Sequence, residues 1–191
     1  MNLRGRTRRA PEIDLPLETP RLIMRDFKKS DLKAVHAYSS LDEVSRYLVW
    51  GPNTLAQSRE AIEGFVEDQR ANPRDIFDLA VTLKPKRVLI GGAGVRIIDR
   101  DNLTGEIGYT LHPDFWGYGL AVEAARALLE AGFHALGLQR IVATCDQRNK
   151  ASARVMERLG MRREGAFRGS KVIQGHWRDE FLYAILAEEF S

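Results

Sequence analysis

Between Glu106 and Glu123 the chain reads EIGYTLHPDFWGYGLAVE, a strand-like stretch that breaks at Pro113 and enters a helix through the glycine-spaced turn Trp116-Gly117-Tyr118-Gly119-Leu120-Ala121. Gly117 and Gly119 carry no Cβ, so the backbone can turn sharply there and bring its amide hydrogens close to an anion. The helix that follows adds free amides and the positive end of its dipole. A pyrophosphate is the natural guest. The turn is not the Walker pattern, because no Gly-Lys-Ser/Thr follows, nor the dinucleotide fingerprint, because the third glycine is missing. Glycine pairs also serve ordinary turns, so the signal takes its weight from its company.

That company is the stretch CDQRNKASARVMERLGM from Cys145 to Met161, in which Asn149 and Ser152 open a helix that ends at Gly160. Together the two segments resemble the GNAT superfamily of acyl-CoA-dependent N-acetyltransferases, in particular its RimJ/RimL-type branch. The resemblance extends to the opening ETPRLIMRDFKKSDL, the middle YLVWGP and the closing GHWRDEFLYAIL. Superfamily members usually carry Arg or Gln where this chain has Trp116, whereas the aromatic-Trp-Gly form is typical of the branch. The fold this implies is a single-domain α/β (α+β) unit. Its mixed, mostly antiparallel sheet of about seven strands is splayed in the middle and flanked by about four helices.

Composition agrees with one soluble domain: 191 residues, 44% hydrophobic and 29% charged, with no apolar run near the roughly 20 residues of a membrane helix. A cytoplasmic location is expected. Residues 1–14 read as a flexible basic arm, with Arg4, Arg6, Arg8 and Arg9 but no apolar segment of a secretory signal, and 15–191 as the domain. The single Cys145 cannot form an internal disulfide and closes an apolar strand, where a small thiol packs as a hydrophobe. The net charge of +3 is compatible with an acidic cofactor or a ribosomal partner.

Periodicity gives alternating elements. Strands are expected at Arg21 to Asp26, Ile76 to Leu83, Val88 to Ile98, Glu106 to Leu111, Ile141 to Thr144, Met161 to about Ser170 and Trp177 to Leu186. Helices are expected at Ser30 to Ser40, Ala56 to Ala71, after the cradle as far as Gly137, and from Asn149 to Gly160. The post-cradle helix places Val122, Ala125, Leu129, Gly132 or Phe133, and Leu136 on one side. The run Gly91-Gly92-Ala93-Gly94 has no helix after it and reads as a strand interior or bulge.

The resemblance also implies roles. The pantetheine arm of acetyl-CoA would pair with the backbone of Tyr109, Thr110 and Leu111 like an added strand. The pyrophosphate would sit on the turn formed by Trp116, Gly117, Tyr118, Gly119, Leu120, Ala121 and Val122. Asn149 would cap its helix and offer amide donors to the pantetheine. Glu106, near the splay, would take a proton from the incoming amine, or else be an outward strand carboxylate paired with a basic neighbour. Ser152 holds the position given general-acid work in the branch, but is also an ordinary first-turn residue suited to capping or cofactor contact. Where some members carry an acidic residue about nineteen positions beyond the serine, this chain has Lys171.

Trp50 lies in a segment that lines the acceptor side in relatives, or plugs the core. Tyr118 and Tyr183 read as structural. His36, His112, His134 and His176 lack metal spacing, so no metal is expected. The implied partners are acetyl-CoA and an amine acceptor, a protein N-terminus or a small amine such as a polyamine, amino acid or antibiotic. Ribosome association and a homodimer are compatible, and no membrane partner is expected. An α-amino group, with an unperturbed pKa near 8 against roughly 10.4 for lysine, is the easier nucleophile at neutral pH. A non-catalytic acyl-CoA-binding or ribosome-associated module is the alternative.

Overall fold

The computed structural model describes residues 12–190. Its strands are β1 (Leu17–Glu18), β2 (Leu22–Asp26), β3 (Ile76–Leu83), β4 (Val88–Asp99), β5 (Thr104–Leu111), β6 (Arg140–Asp146), β7 (Arg162–Ile173) and β8 (His176–Leu186). They form one eight-stranded sheet in the order β1-β2-β3-β4-β5-β6-β8-β7. Neighbours are antiparallel except β5 and β6, which run parallel. A parallel pair needs a crossover connection, and a helix supplies it here.

Among the described residues five helices cover the sheet: α1 (Leu32–Ser39), α2 (Asp42–Ser45), α3 (Leu55–Asp68), α4 (Leu120–Glu130) and α5 (Lys150–Arg158). On one face Ala124, Ala125, Leu128 and Leu129 of α4 and Met156 of α5 pack on Met24, Leu79, Val95 and Ile107. On the other, Val35 and Tyr38 of α1, Val44 of α2 and Ile62 of α3 pack with Phe27 and Ala80. Phe27 stacks on Phe65 at 4.7 Å. Thr54 caps α3 by accepting from the Gln57 amide, while Gln57 reaches back to the Thr54 amide at 2.8 Å.

The sheet has one strand more than the seven expected and the helical layer one helix more than the four expected. Both additions are short, the two-residue β1 and the four-residue α2, and neither is long enough to show a period. The post-cradle helix buries Ala125, Leu129, Gly132, Phe133 and Leu136 as its periodicity requires, with Val122 half-buried; Ala124 and Leu128 are buried as well. It does not stay α-helical to Gly137. From Ala131 to Ala135 it widens into a π-turn, with the Leu136 amide donating to the Ala131 carbonyl. There β6 packs close, and a Cβ on Gly132 would stand 2.6 Å from Ile141 Cδ1. Residues 1–11 of the expected basic arm lie outside the described residues; within the described ones, Ile13 is buried in the core.

A bulge in β4 lies immediately before the glycine run: Val81 faces Gly91 and Thr82 faces Leu89, leaving buried Ile90 as the extra residue. There β4 presses against the end of β5, where a Cβ on Gly91 would lie 2.1 Å from the Thr110 carbonyl oxygen. Gly91→Ala is expected to lower stability by about 1–3 kcal/mol through overpacking. Gly64→Ala, in exposed helix with nothing within 4 Å of the added Cβ, should instead stabilise by about 0.5–1 kcal/mol. Denaturant midpoints of the two variants check both signs.

Candidate active site

The parallel pairing of β5 and β6 lasts for three residue pairs, Thr104–Arg140, Gly105–Ile141 and Glu106–Val142. Beyond them β5 stays with β4 as far as Leu111 opposite Gly91, and β6 stays with β8 as far as Asp146 opposite Glu180. The two strands therefore diverge into a wedge whose facing edges have no strand partner among the described residues. Unpaired backbone groups of this kind suit an extended chain laid between them. At the closed end Gly105 permits close packing, since a Cβ there would stand 2.5 Å from Leu138 Cδ1 and 3.0 Å from the Arg96 carbonyl.

At the open end of β5 the Trp116 indole donates to the Leu111 carbonyl at 2.8 Å. Trp116, expected to contact cofactor, thus spends its N–H on holding the turn against the strand. Gly117 and Gly119 take φ of +82° and +75°, the left-handed region that side chains resist. Among the described residues no amide from Gly117 to Val122 donates to the backbone; the first that does is Glu123, to Gly119 at 3.1 Å. These amides are left open at the helix start, the arrangement an anion cradle requires. A Cβ on Gly117 would meet nothing within 4 Å, and one on Gly119 only Arg21 Nη2 at 3.7 Å. Leu120 is buried in the core, Ala121 and Val122 pack partly against it, and Tyr118 is exposed, so these residues serve the cradle through their amides.

Sequence reasoning missed what braces the cradle. The Glu123 carboxylate accepts from the Thr19 hydroxyl at 2.6 Å, the Arg21 amide at 2.8 Å and Arg21 Nε at 2.6 Å. Arg21 Nη1 also donates to the Tyr118 carbonyl at 2.9 Å. Burial pushes the Glu123 carboxyl up, but the Thr19 and Arg21 donors outweigh it and hold it below its ordinary range. No local sequence signal marks this brace, because Arg21 and Glu123 lie 102 residues apart and only the fold brings them together.

Across the wedge, the Asn149 side chain accepts from the Ser152 amide at 3.1 Å and caps α5. Its amide nitrogen makes no hydrogen bond among the described residues. The Tyr109 hydroxyl reaches from β5 to α5, donating to the Ser152 carbonyl at 3.2 Å and sharing a hydrogen bond with Ser152 Oγ at 3.1 Å. Burial pushes the Tyr109 phenol well above its ordinary pKa, so it stays protonated at neutral pH. Tyr109, Asn149 and Ser152 therefore meet on one side of the wedge.

Glu106 and Thr110 point to the other face, where Glu106 lies 3.5 Å from Arg96 Nε. Lys171 stands 2.9 Å from buried Glu180, which also accepts from Ser170 at 2.7 Å. An acidic group is thus present beside Lys171, on the neighbouring strand rather than at the expected position. Trp50 is not a core plug: with Leu48, Gln57 and Gln174 it lines a cleft of about 530 Å³. Cys145 is buried, and burial with nearby Asp146 and Glu180 pushes its thiol up to about 11. Among the described residues no group of His, Cys, Asp and Glu could hold a metal, and no helix is long and apolar enough to cross a membrane.

Residues 21–162 match the acetyltransferase (GNAT) domain family. The chain is 37% identical over 175 residues to the uncharacterized N-acetyltransferase YnaD of Bacillus subtilis, covering 92% of this chain and 99% of that one. A GNAT-family acetyltransferase from Bacillus anthracis superposes with a TM-score of 0.81 at 35% identity, covering 91% and 99% of the two chains. The ribosomal L7/L12 α-N-protein acetyltransferase RimL, solved with coenzyme A, shares the fold at a TM-score of 0.79 and 21% identity, covering 92% and 98%. A wedge between parallel strands, an amide cradle at its mouth and this likeness have one conclusion: the chain belongs to the GNAT family of N-acetyltransferases.

Proposed function

We propose that this protein transfers an acetyl group from acetyl-CoA directly to a primary amine, the α-amino group of a protein N-terminus being favoured over an ε-amine. The observation that carries the reading is the meeting of the wedge beyond Glu106–Val142 with the amide cradle at Gly117 to Val122. An extended arm and an anionic group joined in one molecule fit that pair of features. The likeness to RimL, a ribosomal L7/L12 α-N-protein acetyltransferase with coenzyme A bound, supports both the cosubstrate and an N-terminal acceptor.

In this reading the amides of Gly117 to Val122 hold the pyrophosphate, and the free edge at Tyr109 to Leu111 with the Asn149 amide holds the pantetheine. When bound, acetyl-CoA supplies an acyl thioester. A backbone amide on the free edge of β5 polarises the carbonyl, a stabilisation that is usually the largest single catalytic contribution. Ser152, hydrogen-bonded to the Tyr109 phenol, returns a proton to the departing sulfur. Glu106 lines the mouth on the opposite face, where the amine enters. An α-amino group reaches its neutral form at lower pH than a lysine side chain, which favours the N-terminal acceptor.

Thiol release with a panel of short peptides and small amines tests the reading; coenzyme A binding without turnover on any of them would make the protein a binding module instead. Gly119→Val, a β-branched side chain forced to positive φ, is expected to abolish coenzyme A binding, and parent-like affinity by calorimetry would refute the cradle. Glu123→Gln should weaken coenzyme A and lower the melting temperature at pH 7. Because the folded Glu123 carboxyl is depressed, the stability it contributes is present above the unfolded pKa of about 4.3 and lost as pH falls through the lower folded value. The melting curves of variant and parent should therefore converge in acid.

A further inference from the structure

The sheet face opposite α4 and α5 carries carboxylates on four of its strands: Asp78 on β3, Glu106 on β5, Asp146 on β6 and Glu180 on β8. The last three have a cation in contact, Arg96 at 3.5 Å, Arg148 at 2.8 Å and Lys171 at 2.9 Å respectively. Asp78 has no ion pair or hydrogen bond from its side chain among the described residues. Its carboxylate leans over Gly94, where a Cβ would stand 2.6 Å from Asp78 Oδ1. Gly94 pairs with Gly108, which lies just past the last β5–β6 pair and where a Cβ would meet nothing within 4 Å.

The floor between Asp78 and the wedge is therefore bare backbone. Strands lie about 4.8 Å apart, so the oxygen over Gly94 is about one strand spacing from Gly108 at the wedge's edge. An amine on that floor touches the carboxylate and the mouth together. We propose that Asp78 binds the acceptor as its ammonium and takes the proton that frees the nucleophile. This rests on the acetyltransferase reading above. The ammonium gives one proton to the Asp78 carboxylate, and the freed nitrogen lone pair forms the new N–C bond. As the acyl C–S bond breaks, its electron pair leaves on sulfur, which gains a proton through Ser152 as the nitrogen loses its second. The Asp78 proton then passes to water.

The surroundings suit that work. Burial is the largest influence on Asp78 and pushes its carboxyl up; Arg96 opposes, Asp68 on α3 adds to the rise, and Arg74 opposes. The Tyr38 phenol of α1 faces the same group. Arg96 and Arg74 are committed elsewhere, to Glu106 and Asp26. A raised carboxyl is a stronger base once ionised, and catalytic efficiency rises as the base's pKa approaches the working pH. It also costs stability: above the unfolded pKa of about 3.9 the folded state must ionise a half-buried acid.

Asp78→Asn, Asp78→Glu and Glu106→Gln are compared by thiol release from acetyl-CoA with spermidine, lysine amide and an alanine-initiated peptide across pH, with calorimetry for coenzyme A. Asp78→Asn is expected to lose about 10²-fold in kcat/KM and the acid limb of its pH profile, with unchanged coenzyme A affinity and no fall in melting temperature. Asp78→Glu should restore the limb at a shifted pH, and Glu106→Gln should retain a limb that moves to lower pH, because Arg96 loses its Glu106 partner and acts on Asp78 alone. Parent-like rate and limb in Asp78→Asn overturn the assignment, as does melting well below the parent, which would mark the residue as structural. A parent that binds coenzyme A but turns over none of the amines overturns the transferase reading, and this inference with it.

Discussion

The end of β5–β6 pairing at Glu106–Val142 is the constraint on which the site depends. Each strand is held by its other neighbour, β5 by β4 and β6 by β8, so neither can bend back to close the gap without giving up a ladder. Unpaired backbone groups at a strand edge are open to partners. A fold that leaves two facing edges unpaired at the middle of its sheet is organised around something that enters there. Tyr109, reaching across to Ser152, ties the strand on one side to the helix on the other.

The wedge also divides the chemistry between two faces. Alternation along β5 sends Ile107 and Leu111 into the core beneath α4, with Tyr109 packed against it, and sends Glu106, Gly108 and Thr110 to the other face. The glycine turn and the α5 cap lie on the first face, and the carboxylates Asp78, Glu106, Asp146 and Glu180 on the second. In the proposed reaction the thioester and the amine then approach from opposite sides and meet within the opening. That geometry supplies positioning, from which much of the rate of such a downhill acyl transfer comes.

Much of this was legible because its causes are local. Gly117 and Gly119 announce a turn at positive φ that side chains resist, and Asn149 announces a helix cap, each within a few residues of its effect. The strand ends from β3 to β5 followed from apolar alternation and came within two residues. Legibility failed where partners are distant. The brace of Glu123 by Thr19 and Arg21 joins groups more than 100 residues apart. The π-turn at Ala131 answers to the close approach of β6, which helical periodicity cannot record.

By itself the sequence determined the glycine turn at Gly117 and Gly119, the Asn149 cap and the alternation of elements, because glycine torsions, caps and amphipathic period act through neighbours in the chain. Only the tertiary structure decided which carboxylates stand paired. Glu106 meets Arg96 because β4 and β5 align in that register, Glu180 meets Lys171 across a bulge in β7, and Asp78 is left over a glycine floor with no cation in contact among the described residues. Whether a carboxylate is paired depends on register between strands, and register is fixed by packing over the whole sheet rather than by any segment of the chain.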